Sequence, residues 1–415
     1  MTKEINRWGV LIGSVGVLLC TGAVYAFSVF AGPLSAAHGW TIPQVMMAFT
    51  INAAIGPIPT ILGGILTDKG KAKWAILIGG ILFGLGFALT GFATSTTMLY
   101  LSYGVLAGLG QGFAYSGCLS NTIRLFPDKR GLASGLITAG MGGATIIAAP
   151  IANYLIETYN VMTAFKIMGA VYIAVVIGCS FLIRVAPAGY TPKGWTPPAN
   201  NAAGMVNVPW TGMVRTVTFY LILLMLGIGA FSGLMIASNA SLIGQNMFGL
   251  TAASAAAYVS IYSLSNCLGR VVWGAVSDRL GRSNTLMIIY TVIALSLLAL
   301  ATLQSVVGFV IGIIGLGLCF GGTMGVFPSI VMENYGPKNQ GVNYGIVFIG
   351  YSTAAFFAPK MAAQIAGQNG GDFTQAFYIA IALAAVGLCI NIVYKLREKN
   401  NQLKNWRKNR EEKRK

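Results

Sequence analysis

The chain has 415 residues, of which 55% are hydrophobic and only 9% are charged. A soluble globular protein carries about 25% charged residues, so this composition indicates a protein that resides in a membrane. The formal net charge of +17 would suit nucleic acid, but the basic residues follow the loops between apolar runs, which leaves nucleic-acid binding unsupported.

Twelve apolar runs along the chain are each about 20 residues long, enough to cross a hydrocarbon core as a helix. They lack the short alternating pattern of a membrane β-barrel, and lipid cannot satisfy open backbone groups. The predicted fold class is therefore an all-α membrane protein with twelve transmembrane helices. The spans lie approximately at 8–31, 44–66, 74–94, 97–122, 131–156, 163–184, 216–240, 252–276, 284–303, 305–331, 342–366 and 374–396.

The basic residues of the loops lie almost all on one side of these spans. If the N-terminus is cytoplasmic, the opposite loops contain only Lys166. The cytoplasmic loops then contain Lys69, Lys71, Lys73, Arg124, Lys129, Arg130, Arg184, Lys193, Arg215, Arg279, Arg282 and Lys338. This asymmetry predicts a multi-pass protein of the cell membrane with both termini in the cytoplasm.

The chain also divides into two similar halves. Residues 185–215 form the longest polar stretch between apolar runs, contain five prolines and separate six spans from six. The segment GILTDKGKAK (64–73) follows the second span, and GAVSDRLGR (274–282) follows the eighth, about half a chain length later. These features predict two six-helix pseudo-repeats, 1–184 and 216–396, joined by a cytoplasmic linker at 185–215 and followed by a basic tail at 397–415.

The second of these loops resembles the loop motif of the major facilitator superfamily, Gly-x-x-x-Asp-Arg-x-Gly-Arg. The matching residues are Gly274, Asp278, Arg279, Gly281 and Arg282. The first copy keeps Asp68 but has its second glycine at Gly70, one position early. The resemblance implies the twelve-helix fold of that superfamily, often monomeric, and a gating role for Asp68, Asp278, Arg279 and Arg282. A simple turn with a helix-capping acid is the alternative.

A finer resemblance extends over most of the chain. The segments GAVYAFSVF (22–30), LFPDKRGLASGLITAGMGG (125–143) and YGPKNQGVNYG (335–345) are similar to those of the bacterial oxalate:formate antiporter family. That family is related to the monocarboxylate transporters, whose fifth span also begins with a basic pair and a run of small residues. The resemblance implies a small organic anion as the substrate.

Within the apolar spans almost every charge is missing, and Arg270 is the main exception. It lies eight residues before the loop acid Asp278, roughly 12 Å along a helix, which is too deep for an ordinary interfacial position. Such a charge needs a partner, and no carboxylate lies within the predicted spans. A guanidinium binds a carboxylate through two parallel hydrogen bonds, so the substrate anion is the predicted partner. The alternatives are a side chain extended to the cytoplasmic loops or one bound to backbone carbonyls.

The family resemblance implies the same role, because an arginine in the eighth span binds the carboxylate in both related groups. In animal monocarboxylate transporters an aspartate four residues earlier is implicated in proton coupling, and here that position is Asn266. The difference removes that route for the proton, although a proton could still cross with the substrate.

Several polar residues are candidates for the remaining contacts to a small anion. They are Tyr25 in the first span, Gln111 and Tyr115 in the fourth, Asn239 in the seventh and Tyr351 in the eleventh. In the superfamily these spans contribute to the central cavity. Tyr115 is preferred because it lies as far into the fourth predicted span as Arg270 lies into the eighth, although ordinary packing is equally compatible with a tyrosine there.

Lys360 is the second intramembrane cation, about 10 Å from the outer end of the eleventh span. Its ammonium group either reaches the outer membrane surface or lines the path. The oxalate:formate exchanger also has a lysine in this span, but aligned nearer Ser352 or Thr353. Two cations would accommodate a dicarboxylate, whereas Arg270 alone favours a monocarboxylate.

The predicted function is a secondary transporter of small monocarboxylates such as lactate, pyruvate or formate, by proton symport or anion exchange. The alternative is an oxalate:formate-type dicarboxylate exchanger. A multidrug exporter or a carboxylate receptor is less favoured, since no intramembrane acid and no signalling domain is evident. No phosphate-binding loop, cofactor motif or metal-ligand spacing is present, so neither an enzyme nor a metal site is expected.

Overall fold

The computed structural model describes residues 5–196, 207–303 and 305–412. Every regular element in these ranges is a helix, and each of the twelve predicted spans is helical. We number the helices after the spans: α1 (Arg7–His38), α2 (Ile42–Ile55 and Pro57–Leu66), α3 (Ala72–Thr90), α4 (Thr96–Leu99, Tyr100–Ala107 and Gly108–Leu125), α5 (Arg130–Thr158), α6 (Val161–Ser180), α7 (Val217–Phe248), α8 (Ala252–Leu280), α9 (Arg282–Thr302), α10 (Val306–Tyr335), α11 (Gln340–Val347 and Ile349–Gln368) and α12 (Thr374–Glu412). The all-α fold predicted from hydropathy is confirmed.

Length and hydropathy alone identify nine helices in the described residues that are suited to cross a membrane. One of them, Pro57–Thr90, contains the second part of α2 together with α3, which meet at a kink at Gly70 (φ 78°). The helices α4 and α8 are not among the nine. Both are interrupted by polar side chains, including Gln111 on α4 and Arg270 on α8, as expected of helices that line a polar cavity.

Close contacts between pairs of glycines join the two halves at one end of the bundle. This end, where α1 begins and α12 ends, is predicted to be cytoplasmic and is called the inner end below. There α5 meets α8 where Gly131 and Gly274 lie so close that a Cβ atom on either would strike the backbone of the other. Gly64 of α2 and Gly341 of α11 approach each other in the same way. Glycine at these four positions therefore lets the inner ends of the halves pack closely.

The predicted linker and tail are only partly described. Residues 197–206 of the linker and 413–415 of the tail lie outside the described residues, and Trp210–Met213 forms a single helical turn before α7. The α12 helix continues to Glu412, so the boundary placed at residue 396 does not coincide with a helix end. The division into two bundles, a linker and a tail stays a prediction.

Candidate anion site

Arg270 lies deep between the two halves and is 8% exposed. Its Nε donates to Oδ1 of Asn266, one turn earlier on α8, at 2.8 Å. Its NH1 donates to the backbone carbonyl of Thr138 on α5, in the other half, at 2.6 Å. Thus the guanidinium does not extend to the inner loops, and one of the alternatives from the sequence, a bond to a backbone carbonyl, is present.

Both of these acceptors are neutral, so the charge of Arg270 is not compensated by the protein. Among the described ion pairs none includes Arg270, and its NH2 makes no hydrogen bond to any described residue. A guanidinium has five N–H donors, and two are used here. The remaining edge is available to an anion.

An aromatic cluster contains residues from both halves. The hydroxyl groups of Tyr115 (α4) and Tyr344 (α11) are 3.2 Å apart, a hydrogen bond that joins the halves. Phe348 packs against both rings and stacks on Tyr351 with 4.5 Å between ring centroids. Arg270 lies within electrostatic range of Tyr115, Tyr344 and Tyr351. Two predicted candidates, Tyr115 and Tyr351, therefore belong to the wider region around Arg270.

The other predicted candidates differ in position. Tyr25 lies in a 3₁₀ stretch within α1, is 39% exposed and interacts with Tyr351. Gln111 is half-buried one turn before Tyr115. Asn239 is buried, and its amide donates to the Met235 carbonyl and the Ser238 hydroxyl of its own helix, both at 2.9 Å. Asn239 is therefore engaged within α7.

Lys360 is not brought to Arg270. It is exposed, and its ammonium lies 5.6 Å from the centre of the exposed Phe356 ring. It follows Tyr351 by nine residues, which is two and a half helical turns and places it on the opposite face of α11. This position favours the interpretation in which the lysine extends to the membrane surface.

The two loop acids bind helix N-termini across the halves. Asp68 accepts from the backbone N–H groups of Gly341 and Val342 on α11, both at 3.0 Å, and pairs with Arg124. Asp278 accepts from Gly131 and Leu132 on α5 at 2.8 and 2.9 Å. A carboxylate at a helix N-terminus is stabilised by the unpaired amides and the helix dipole. Burial raises the pKa of Asp68, although Arg124 and the two amides act in the opposite direction.

The remaining loop residues have different surroundings. Arg282 pairs with Asp278 at 2.8 Å and with Glu333 at 2.7 Å. Arg279 is exposed and forms no ion pair with any residue of the described ranges. Arg124 and Glu333 complete these clusters, and the sequence did not indicate either of them.

Three residues in the region of Arg270 were not identified as site candidates from the sequence. Thr138 contributes its backbone carbonyl, which no side-chain pattern can indicate. Gly142 faces the guanidinium directly. Tyr344 stands within the segment 335–345 that carries the family resemblance, yet was not singled out.

Metal and disulfide chemistry is not suggested by the described residues. No three His, Cys, Asp or Glu side chains among them lie close enough to hold a metal ion. All six cysteines are free; they lie singly within the predicted apolar spans, a pattern that indicates small buried side chains, but Cys389 is exposed on α12. A helix surrounded by lipid can expose such a side chain at no hydrophobic cost.

Comparison with known proteins decides the family. The family model described as Major Facilitator Superfamily matches residues 13–359 and, in a second match, residues 240–414. The chain belongs to the major facilitator superfamily. It is thus a multi-pass membrane protein and a secondary transporter, not an enzyme.

Several relatives match this superfamily member over most of its length, and one solved structure shares its fold. It is 31% identical to the uncharacterized MFS-type transporter YhjX of Escherichia coli K12 over 83% of this chain and 85% of that one. It is 30% identical to the oxalate:formate antiporter of Oxalobacter formigenes over 91% of each chain. Monocarboxylate transporter 13 of Bos taurus is 26% identical over 90% of this chain and 86% of its own. The FucP transporter in its outward conformation shares the fold, with a TM-score of 0.64, 17% identity and coverage of 93% and 99%.

Proposed function

We propose that this transporter carries small monocarboxylates of the lactate, pyruvate and formate class by alternating access, either with a proton or in exchange for another anion. The observation that carries the proposal is Arg270: it is buried, bound only to neutral acceptors and has one edge of its guanidinium free of described partners. A carboxylate is the group whose geometry and charge complement that edge.

Charge balance supports a monoanion. An uncompensated cation in a dry, closed cavity costs several kcal/mol. One carboxylate neutralises Arg270, so the loaded cavity can close on both sides. A dianion would leave one negative charge, because Asn266 is neutral and Lys360 lies on the far face of α11. The names of the relatives, an oxalate:formate antiporter and monocarboxylate transporters, agree with a small carboxylate.

Exchange of oxalate or another dicarboxylate is the second candidate. It is favoured by the 30% identity to the oxalate:formate antiporter over 91% of both chains. It would require a second cation at the site, and Lys360 is the remaining one that lies away from the ends of the predicted spans. A rotation of the outer part of α11 would have to bring that ammonium toward Tyr351.

The proposed setting is the cell membrane, with both termini in the cytoplasm and a single chain as the working unit. The inner end is then the cytoplasmic end, and Asp68 and Asp278 hold it closed through their bonds to α11 and α5. Alternating access requires these bonds to break when the two six-helix bundles rock about the site.

The test is uptake of labelled L-lactate and formate into proteoliposomes. Arg270→Ala is expected to lower uptake at least about 100-fold, since losing one member of a buried charged pair costs several kcal/mol. Arg7→Ala is the matched control, because Arg7 pairs with Asp128 at the inner end, away from the site. Normal uptake by the Arg270 variant, with both proteins present in the membrane at equal amounts, would reject the proposal.

A second pair of conditions separates the two coupling modes. Vesicles with an inward proton gradient but no internal anion support uptake only if a proton accompanies the substrate. Vesicles preloaded with unlabelled formate or oxalate support uptake without a gradient only if the transporter exchanges anions. Exchange restricted to vesicles preloaded with oxalate would favour the dicarboxylate alternative.

A further inference from the structure

Arg270 belongs to the second half of the molecule, but the first half holds its guanidinium. NH1 donates to the Thr138 carbonyl on α5 at 2.6 Å, while Nε is held by Asn266 on α8. The Thr138 hydroxyl donates to the Ser134 carbonyl at 2.9 Å, along its own helix. The contact between the halves is thus made by the Thr138 backbone and not by its side chain.

A missing side chain makes that carbonyl accessible. In an α-helix the side chain four residues later leans back over a carbonyl group, and the residue four after Thr138 is Gly142. A Cβ atom on Gly142 would lie 2.8 Å from both Cζ and Nε of Arg270 and 3.1 Å from NH2. The guanidinium therefore occupies the volume that any other residue at this position would fill.

We propose that the Thr138 carbonyl and Gly142 form a guanidinium seat that positions Arg270 for the anion. This inference rests on the proposed function and names residues that act on the same site from the opposite half. With Nε and NH1 held, the NH2 edge is fixed before the substrate arrives, so little rotamer freedom is lost on binding. Thr138 and Gly142 are positioning residues that need not touch the substrate.

Gly142 differs from Gly131 and Gly135 on the same helix in what surrounds it. A Cβ atom on Gly131 or Gly135 would strike the backbone of α8 and push the helices apart. On Gly142 the same atom meets only the movable end of Arg270. Gly142→Ala is thus expected to displace the guanidinium and leave the fold intact. Gly140→Ala is the matched control for altered helix packing, because its Cβ would meet the Cγ1 atom and the backbone oxygen of Val15 on α1, each at 3.1 Å, and not Arg270.

The first measurement is chemical modification of Arg270 by butanedione in purified protein without substrate, followed by peptide mass spectrometry. Gly142→Ala is expected to raise the modification rate at least about three-fold, because the displaced guanidinium enters the cavity. Gly140→Ala should leave the rate unchanged. An unchanged rate in Gly142→Ala, or an equal rise in both variants, would overturn the seat. A melting temperature that falls in Gly142→Ala and not in the control would also count against it, since the backbone would then have moved.

Transport kinetics provide the second measurement. Gly142→Ala should raise KM for lactate and for formate by about ten-fold with the maximal rate within about two-fold, as loss of preorganisation predicts. A fall in maximal rate at constant KM would contradict the seat and indicate altered helix packing instead. Absence of saturable uptake by the unmodified protein would reject the proposed function. The rate of butanedione modification would still show whether Thr138 and Gly142 position Arg270.

Discussion

Replacing Asn266 by aspartate would place a carboxylate where an amide oxygen now accepts from Arg270. The side chains have nearly the same shape, so the 2.8 Å contact to Nε can persist. At an effective dielectric constant of about 20, two unit charges at that distance attract each other by about 6 kcal/mol, before the cost of desolvating the new carboxylate. Even a third of this attraction would compete strongly with a substrate anion.

The expected consequence is a transporter that depends on acid. Beside the guanidinium the introduced carboxylate is ionised at neutral pH, so Arg270 is already neutralised. We expect Asn266→Asp to weaken lactate affinity at least about ten-fold at neutral pH. Protonation of this carboxylate releases Arg270, so uptake should rise as the pH falls. The assay is the initial rate of lactate uptake at a series of pH values with equal pH on both sides.

Asn266→Ala separates the new charge from the lost hydrogen bond. It removes the acceptor of Nε without neutralising Arg270, so it should weaken affinity only a few-fold and leave the pH profile as in the unmodified protein. If Asn266→Asp keeps full affinity at neutral pH and shows no added acid dependence, Arg270 is not the anion-binding group.

Four further substitutions test other contacts. Asp68→Asn and Asp278→Asn should each slow exchange at least about ten-fold, because charged hydrogen bonds between the halves are lost. Asp128→Asn is the control: it breaks an ion pair within one half and should have little effect on exchange. Equal losses in all three variants would refute this reasoning. Tyr344→Phe should raise KM about two- to five-fold, since one hydroxyl bond contributes about 1 kcal/mol, and an unchanged KM would exclude its hydroxyl from the site. Lys360→Gln should leave monocarboxylate exchange within about two-fold in a counterflow assay, whereas selective loss of oxalate exchange would support the dicarboxylate candidate.

The fold was largely predictable because lipid permits few solutions. Only a helix satisfies its own backbone within hydrocarbon, so the apolar runs of the sequence located the twelve helices, although length and hydropathy alone single out nine within the described residues. The ends were less predictable, since a helix can continue into water beyond the hydrocarbon core. The first span was predicted to end at residue 31, but α1 extends to His38, and α12 extends to Glu412.

For the candidate site, depth was predictable and contacts were not. Counting residues from a loop placed Arg270 deep in the membrane, and the absence of intramembrane acids left its charge unpaired. Its actual acceptor, the Thr138 carbonyl, is 132 residues away and becomes accessible only through the packing of α5 against α8. The depth of Lys360 could also be predicted by counting residues from the end of its span. The direction in which its side chain points depends on which face of α11 meets the cavity. The roles of these residues in transport stay predictions.

The glycine contacts between the halves have a consequence for the speed of the transport cycle. Where Gly131 meets Gly274 and Gly64 meets Gly341, backbone rests on backbone, with no interlocking rotamers to rearrange when the angle between the halves changes. The friction of that motion should therefore be low, and the population of the state closed at the inner end should depend mainly on the amides held by Asp68 and Asp278. A bulkier side chain at any of the four glycines would add a mechanical obstacle that no change in substrate affinity could offset.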